Sequence, residues 1–197
     1  MRGAEQIPWL YDLSLWFLEK GGLGRWRRWL TGGARGRTLD LGCGTGHDLP
    51  LLPPGTPAVG ADPCLETLRA ARRRAPGVPL VQARAEALPF RDGAFDTVLS
   101  GLVFCSVGDV PAGFAEVRRV LAPGGRLRML EHVRSGKRFW AWLQDLSQPA
   151  WTAVTGGCHP NRETEAAVEA AGFEILPEER QGRGSMRRFQ ARPRGGG

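Results

Sequence analysis

From Thr38 to Gly46 the chain reads Thr-Leu-Asp-Leu-Gly-Cys-Gly-Thr-Gly, an apolar run that breaks into glycine at every second position. The run has the make-up of a short buried strand. Glycines at 42, 44 and 46 let the backbone turn sharply and approach a neighbour or a ligand with no Cβ in the way. A strand that breaks into such a loop, with a helix expected after it, is the opening of a βα unit. Ligands of open α/β sheets bind at the carboxyl ends of the strands, where this loop must lie.

The pattern downstream repeats that unit. Short apolar runs at 38–41, 58–61, 80–83, 95–101 and 127–130 predict five strands alternating with helices, hence a mostly parallel sheet. A helix is expected after each of the first two strands, the second running from near Pro63 to about Ala75, since proline is tolerated in a first helical turn. Asp109 opens an amphipathic helix with Val110, Phe114, Val117 and Leu121 on one face, closed by Pro123-Gly124-Gly125. Another helix is expected over 162–171, with Gly172 as its left-handed terminator. Runs at 173–176 and 186–191 are close enough for an antiparallel hairpin. Residues 1–31 hold Trp9, Trp16, Trp26 and Trp29, and predict two short helices joined at Gly21-Gly22. The expected organisation is an N-terminal helical lid or extension (1–31), one α/β domain (32–193) and a disordered tail (194–197).

Several details choose among ligands for the loop. A dinucleotide fingerprint needs glycine at 47, which is His47, and the phosphate-binding Gly-Lys-Ser/Thr is missing. Asp40 places a carboxylate beside the loop, which repels a pyrophosphate but suits a ligand carrying an ammonium and a sulfonium. The spacing favours S-adenosylmethionine; a plain strand-to-helix turn is the other reading. Asp62 closes the second strand, 22 positions after Asp40. It can accept both ribose hydroxyls, cap the helix that begins at Pro63, or do both.

With those residues stated, the chain resembles class I methyltransferases of the "methyltransferase domain 11" type. The resemblance rests on Asp40, Gly42, Cys43, Gly44 and Gly46, on Asp62 and Pro63, on Ala85-Glu86-Ala87-Leu88-Pro89-Phe90, on Phe95-Asp96 and on Leu121-Ala122-Pro123-Gly124-Gly125. It implies a three-layer αβα Rossmann-like fold with a seven-stranded, mostly parallel sheet and an antiparallel last strand. It also implies that Ala85 and Glu86 lie against adenine and that Ser100, Gly101 and Leu102 floor the methionine site. Val103 to Val107, Met129 to Val133, 142–151 and 157–163 are similar to a narrower group that includes animal alkyl-thiol methyltransferases and bacterial phospholipid or quinone methyltransferase-like proteins. The animal proteins begin with a hydrophobic anchor, where this chain has a short Trp-rich segment.

Methyl transfer from a sulfonium is an in-line displacement, so the protein must chiefly orient the reactants and exclude water. A thiol acceptor must also lose its proton. His132 is the candidate acceptor of that proton and Glu131 its neighbour at the edge of the site; a structural histidine reads equally well. The four cysteines, Cys43, Cys64, Cys105 and Cys158, are scattered without a CxxC pair. That argues against a disulfide framework and against a metal site, and makes a cytoplasmic location the expectation.

Of 27 positive charges 25 are arginines, in a chain of net charge +7. Such a balance raises the prior for anionic partners. Nucleic-acid methylation is disfavoured, because the Asn/Asp-Pro-Pro-aromatic motif expected after the fourth strand is replaced by Ser100-Gly101-Leu102-Val103-Phe104. A small-molecule acceptor is therefore expected, with peripheral membrane contact through the Trp/Arg-rich N-terminus as a further expectation. A binding protein that holds S-adenosylmethionine without turnover is the reading from another class.

Overall fold

The fold is described from a computed structural model over residues 22–155 and 157–195. The first of the two expected N-terminal helices, with Trp9 and Trp16, lies outside those residues, as do Gly196 and Gly197. The second is α1 (Gly24–Gly32). Strands β1 (Thr38–Leu41), β2 (Ala58–Asp62), β3 (Leu80–Gln82) and β4 (Phe95–Gly101) follow, with α2 (Leu65–Arg74) between β2 and β3. Next come α3 (Val110–Val120), β5 (Leu121–His132), α4 (Arg138–Thr155) and α5 (Thr164–Ala170). The chain ends in β6 (Phe173–Ile175), β7 (Gln181–Arg183) and β8 (Met186–Pro193).

The strands form one sheet in the order β3-β2-β1-β4-β5-β8-β6, with β7 also on β8. β1 to β5 are parallel, and β8 runs antiparallel to β5, β6 and β7. This is the expected αβα architecture with one strand more than expected. The extra strand is β7, three exposed residues whose glycine and arginine carry no strand signal.

Three further differences have physical reasons. No α-helix follows the glycine loop. Pro50, Pro53, Pro54 and Gly55 leave only a single 3-10 turn, Leu49–Leu51. β5 begins at Leu121, directly after α3, so Pro123-Gly124-Gly125 lies inside a strand, where the register against β4 shifts between Phe95 and Thr97. Arg194 of the expected tail is tied down, its amide donating to Gly172 O (2.7 Å) and its carbonyl accepting from Arg118 (3.1 Å). Gly172 has a φ of 83°, as a terminating glycine requires.

Strand period places alternate residues on opposite faces. Leu39, Leu41, Val98, Leu127 and Met129 bury one face against Phe114 and Val117 of α3 and Val168 of α5. Phe104 stacks on Phe114 with ring centroids 3.9 Å apart. The other face, through Leu99 and Leu130, meets Leu23, Leu30 and Ala34 in and beside α1. Each such fully buried aliphatic or aromatic side chain contributes about 1.5–3 kcal/mol. The buried Arg128 of β5 satisfies the carbonyls at the end of α1, donating to Leu30 O (3.0 Å) and Trp29 O (2.6 Å) while stacking over the Trp29 ring. The helix therefore belongs to the domain's packing, although the sequence pattern assigned it to an extension.

Candidate active site

A cavity of about 430 Å³ opens at the carboxyl ends of β1, β2 and β4. Gly42, Gly44, Asp62, Pro63, Ala85, Glu86 and Leu102 of the predicted set line it. Asp40, Cys43, Gly46, Ser100 and Gly101 of that set do not line it.

Asp62 organises the near wall. One carboxylate oxygen accepts from the Gly44 amide (2.9 Å), the other from the Cys64 amide (2.9 Å) and the Thr67 hydroxyl (2.7 Å). Asp62 thus ties the glycine loop to the turn that leads into α2, but it does not cap the helix, whose N-cap is Cys64 with no side-chain cap hydrogen bond. Each carboxylate oxygen has two lone pairs, which leaves acceptor capacity toward the cavity. Gly44 has a φ of 53°, a left-handed conformation that turns its amide toward Asp62. Gly42 and Gly46 serve packing. A Cβ at Gly42 would lie 2.4 Å from the Val103 side chain, and one at Gly46 would meet Ala71 of α2 at 3.0 Å.

Asp40 faces away because it alternates with the inward-facing Leu39 and Leu41. It is fully buried, and burial pushes its carboxyl well above the usual range. Repulsion from Asp48 and Asp62 adds to the rise, while Arg27 opposes it. Arg27 of α1 pairs with Asp48 at 2.9 Å, both buried. One oxygen of Asp40 has no hydrogen-bond partner. Behind the loop, burial thus favours the neutral form of Asp40, and Asp48 is balanced by Arg27, so neither presents an uncompensated negative charge to the cavity.

Glu86 closes the far wall. It accepts from the amides of Gly108 (3.1 Å) and Asp109 (3.2 Å), at the start of α3, and from Arg84 (3.3 Å). Burial raises its carboxyl, but the amide and Arg84 hydrogen bonds outweigh that and hold it below the usual range.

The floor is a strained turn. Leu102 has a φ of 62°, a conformation that bulky residues rarely adopt. It is held by its own amide donating to Leu130 O (2.7 Å), and by Glu131, whose Oε1 accepts from the amides of Val103 and Phe104 (2.9 Å each). Glu131 is completely buried, and burial pushes its carboxyl up to about 7 against the pull of those amides. His132 does not line the cavity. It is half-buried and hydrogen-bonds Cys158. Cys158 in turn contacts Cys105, whose hydrogen bond favours the Cys158 thiolate while the Cys105 thiol is pushed up. Val103, Ser106 and Val107, from the Val103 to Val107 motif, also line the cavity, and so do Thr67 and Thr155, which the sequence did not single out.

This geometry coincides with a family match: a methyltransferase domain model aligns over residues 39–129. The match takes in the glycine loop, Asp62 and the Leu102 turn, a little under half of the chain. Within and around that stretch the chain is 37% identical over 159 residues to thiol S-methyltransferase TMT1B of Homo sapiens, covering 76% of this chain and 65% of that protein. It is 44% identical over 133 residues to demethylmenaquinone methyltransferase of Thermus thermophilus, covering 61% of this chain and 60% of that one. The chain therefore spans less than two thirds of the length of these relatives. Among solved structures, a SAM-dependent methyltransferase from Thermotoga maritima superposes with a TM-score of 0.71 at 23% identity, covering 92% and 94% of the two chains. That likeness concerns the fold. It places the chain in the class I architecture that the sequence resemblance implied.

Proposed function

We propose that this protein transfers a methyl group from S-adenosylmethionine to a small, apolar or thiol-bearing acceptor. The observation that carries the reading is the Asp62 carboxylate, which holds the Gly44 amide in a left-handed turn at the mouth of a cavity walled by Ala85 and Glu86. Asp62 would accept from a ribose hydroxyl through its remaining lone pair, and Ala85 would pack on the adenine. The cofactor supplies an electrophilic methyl group when bound. The chain's own work is to orient the acceptor over Leu102 and Val103 and to exclude water. Glu131 acts here by fixing those two residues rather than by taking a proton. Deprotonation of a thiol acceptor falls to His132 only if the acceptor reaches past the Leu102 turn.

Support for a thiol or quinol acceptor comes from the two relatives and from the apolar floor. A second reading, a phospholipid or quinone acceptor met at a membrane, is favoured by the apolar outer face of α4, whose Ala141, Trp142 and Asp145 border a second cavity of about 710 Å³. Calorimetric titration with S-adenosylmethionine tests the core of the proposal. Binding is expected, and its absence overturns the reading. Labelled-methyl transfer to alkyl thiols, quinols, phosphatidylethanolamine and tRNA then separates the acceptors, with transfer to tRNA alone counting against a small-molecule role.

A further inference from the structure

The α4 helix is packed the wrong way round for a helix of a soluble domain. Its inward positions are Ala141, Gln144, Gln148, Thr152 and Thr155, which are small or polar. Polar contacts hold that side down. Gln144 donates to Val133 O (3.2 Å) and Pro160 O (3.1 Å), Arg134 grips Asp145 at 2.6 and 2.7 Å, and Thr152 donates to Cys158 O (2.8 Å). The outward side carries Phe139, Trp142, Leu143, Leu146 and Val154 at helical spacing, with Phe139 and Leu146 each 64% exposed. Trp140 and Trp151, also exposed, flank the stripe.

We propose that this face is a docking surface for an anionic lipid bilayer, with α4 lying flat in the headgroup region. The stripe follows a single helix of 18 residues, roughly 27 Å long. It is a convex ridge, which suits a plane that yields around it. Tryptophan and phenylalanine are the side chains favoured at a membrane–water interface. The exposed Lys137 and Arg138 stand where the helix begins, and Asp145, already bound to Arg134, lies on its flank. The chain as a whole carries a net charge of +7, so attraction to anionic headgroups acts in the same direction. Among the described residues no helix is long and apolar enough to cross a membrane, so the contact is one of lying on the surface. Trp142 also borders the 710 Å³ cavity, and Thr155, at the other end of the helix, borders the cofactor-site cavity. The docked face therefore adjoins both openings.

The test is co-sedimentation of the full chain with vesicles of equimolar phosphatidylcholine and phosphatidylglycerol, alongside phosphatidylcholine alone. Binding to the anionic vesicles is expected, and quenching of tryptophan by lipids brominated along their tails should accompany it. Phe139→Glu with Leu146→Glu should lower partitioning about tenfold or more, without altering the thermal midpoint or S-adenosylmethionine binding. Lys137→Ala with Arg138→Ala should lower it about thirtyfold on anionic vesicles only. Absence of binding by the native chain overturns the proposal, and so does undiminished binding by the double glutamate variant. A dimer in light scattering that the glutamate variant dissociates also overturns it, assigning the face to a second copy. Loss of binding on deletion of residues 1–21, with the glutamate variant still bound, assigns the contact to that segment instead. None of these outcomes depends on methyl transfer, so the docking and the enzymatic reading fail separately.

Discussion

Replacing Glu131 by glutamine isolates the cost of keeping a carboxylate in the sheet. The carboxyl is completely buried and its pKa is raised from 4.5 to about 7. For an acid whose folded pKa is raised, the native state binds more protons than the unfolded state between the two values. Stability is therefore fully present below pH 4.5 and falls as the pH rises through 7. From these two values, ionising the group destabilises the fold by about 2 kcal/mol more at pH 8.5 than at pH 5.5. Glutamine keeps an oxygen for the Val103 and Phe104 amides but cannot ionise. Its amide nitrogen would occupy the position of Oε2, which has no partner. That cost is the same at both pH values and cancels when they are compared. Urea unfolding of both proteins at pH 5.5 and 8.5 should show the native chain losing about 2 kcal/mol relative to Glu131→Gln, a shift of roughly 4–8 °C in thermal midpoint. A gap between the two proteins that does not change with pH, or that widens on acidification, would refute the burial argument.

Asp62→Ala leaves the Gly44 and Cys64 amides and the Thr67 hydroxyl without their acceptor. It should cost about 2–4 kcal/mol of stability and weaken S-adenosylmethionine binding more than tenfold; unaltered affinity by calorimetry would remove Asp62 from the site. Gly42→Ala forces a Cβ onto Val103 at a φ of 65° and should destabilise by about 2 kcal/mol, with part recovered by adding Val103→Ala. No recovery in the double variant would mean that backbone strain alone is responsible. Arg162 donates to Phe104 O (2.5 Å) and Val107 O (2.7 Å). Arg162→Met should cost about 2 kcal/mol and speed proteolysis between residues 104 and 109, whereas an unchanged cleavage rate would show that the loop holds itself.

The parts of this fold that were legible in the sequence are those where a local signal and tertiary packing agree. β4 was predicted at its observed bounds, because the Asp92-Gly93 turn marks its start and Gly101 its end. The αβα class, Asp62 and the glycine loop were read from strings whose chemistry lies within a few residues. Elsewhere the cause is non-local. The helix expected after β1 failed because Pro50, Pro53 and Pro54 outweighed the βα pattern. Asp40 was expected beside the ligand, yet strand alternation turns it toward Arg27 and Asp48, a pair separated by 21 positions that no spacing rule links. Glu131 was selected for its position at the end of β5, and only its burial shows that it holds the Leu102 turn. The inverted face of α4 has no signal in the similarity over 142–151, since a sequence motif does not say which side of a helix faces in.

The 3-10 turn that replaces the expected helix after β1 bears on competition inside a cell. A glycine loop that runs into an α-helix offers aligned amides and a positive helix end, and it captures phosphates. Here Leu49–Leu51 supplies no such end, and the groups around the loop are Asp40, Asp48 and Asp62. Adenine nucleotides and dinucleotide coenzymes share the adenosine portion of S-adenosylmethionine. Their phosphates would meet no helix end at this loop and would lie beside the Asp62 carboxylate. The same prolines that forbid an α-helix between β1 and β2 thereby withhold a phosphate-binding helix end from this loop.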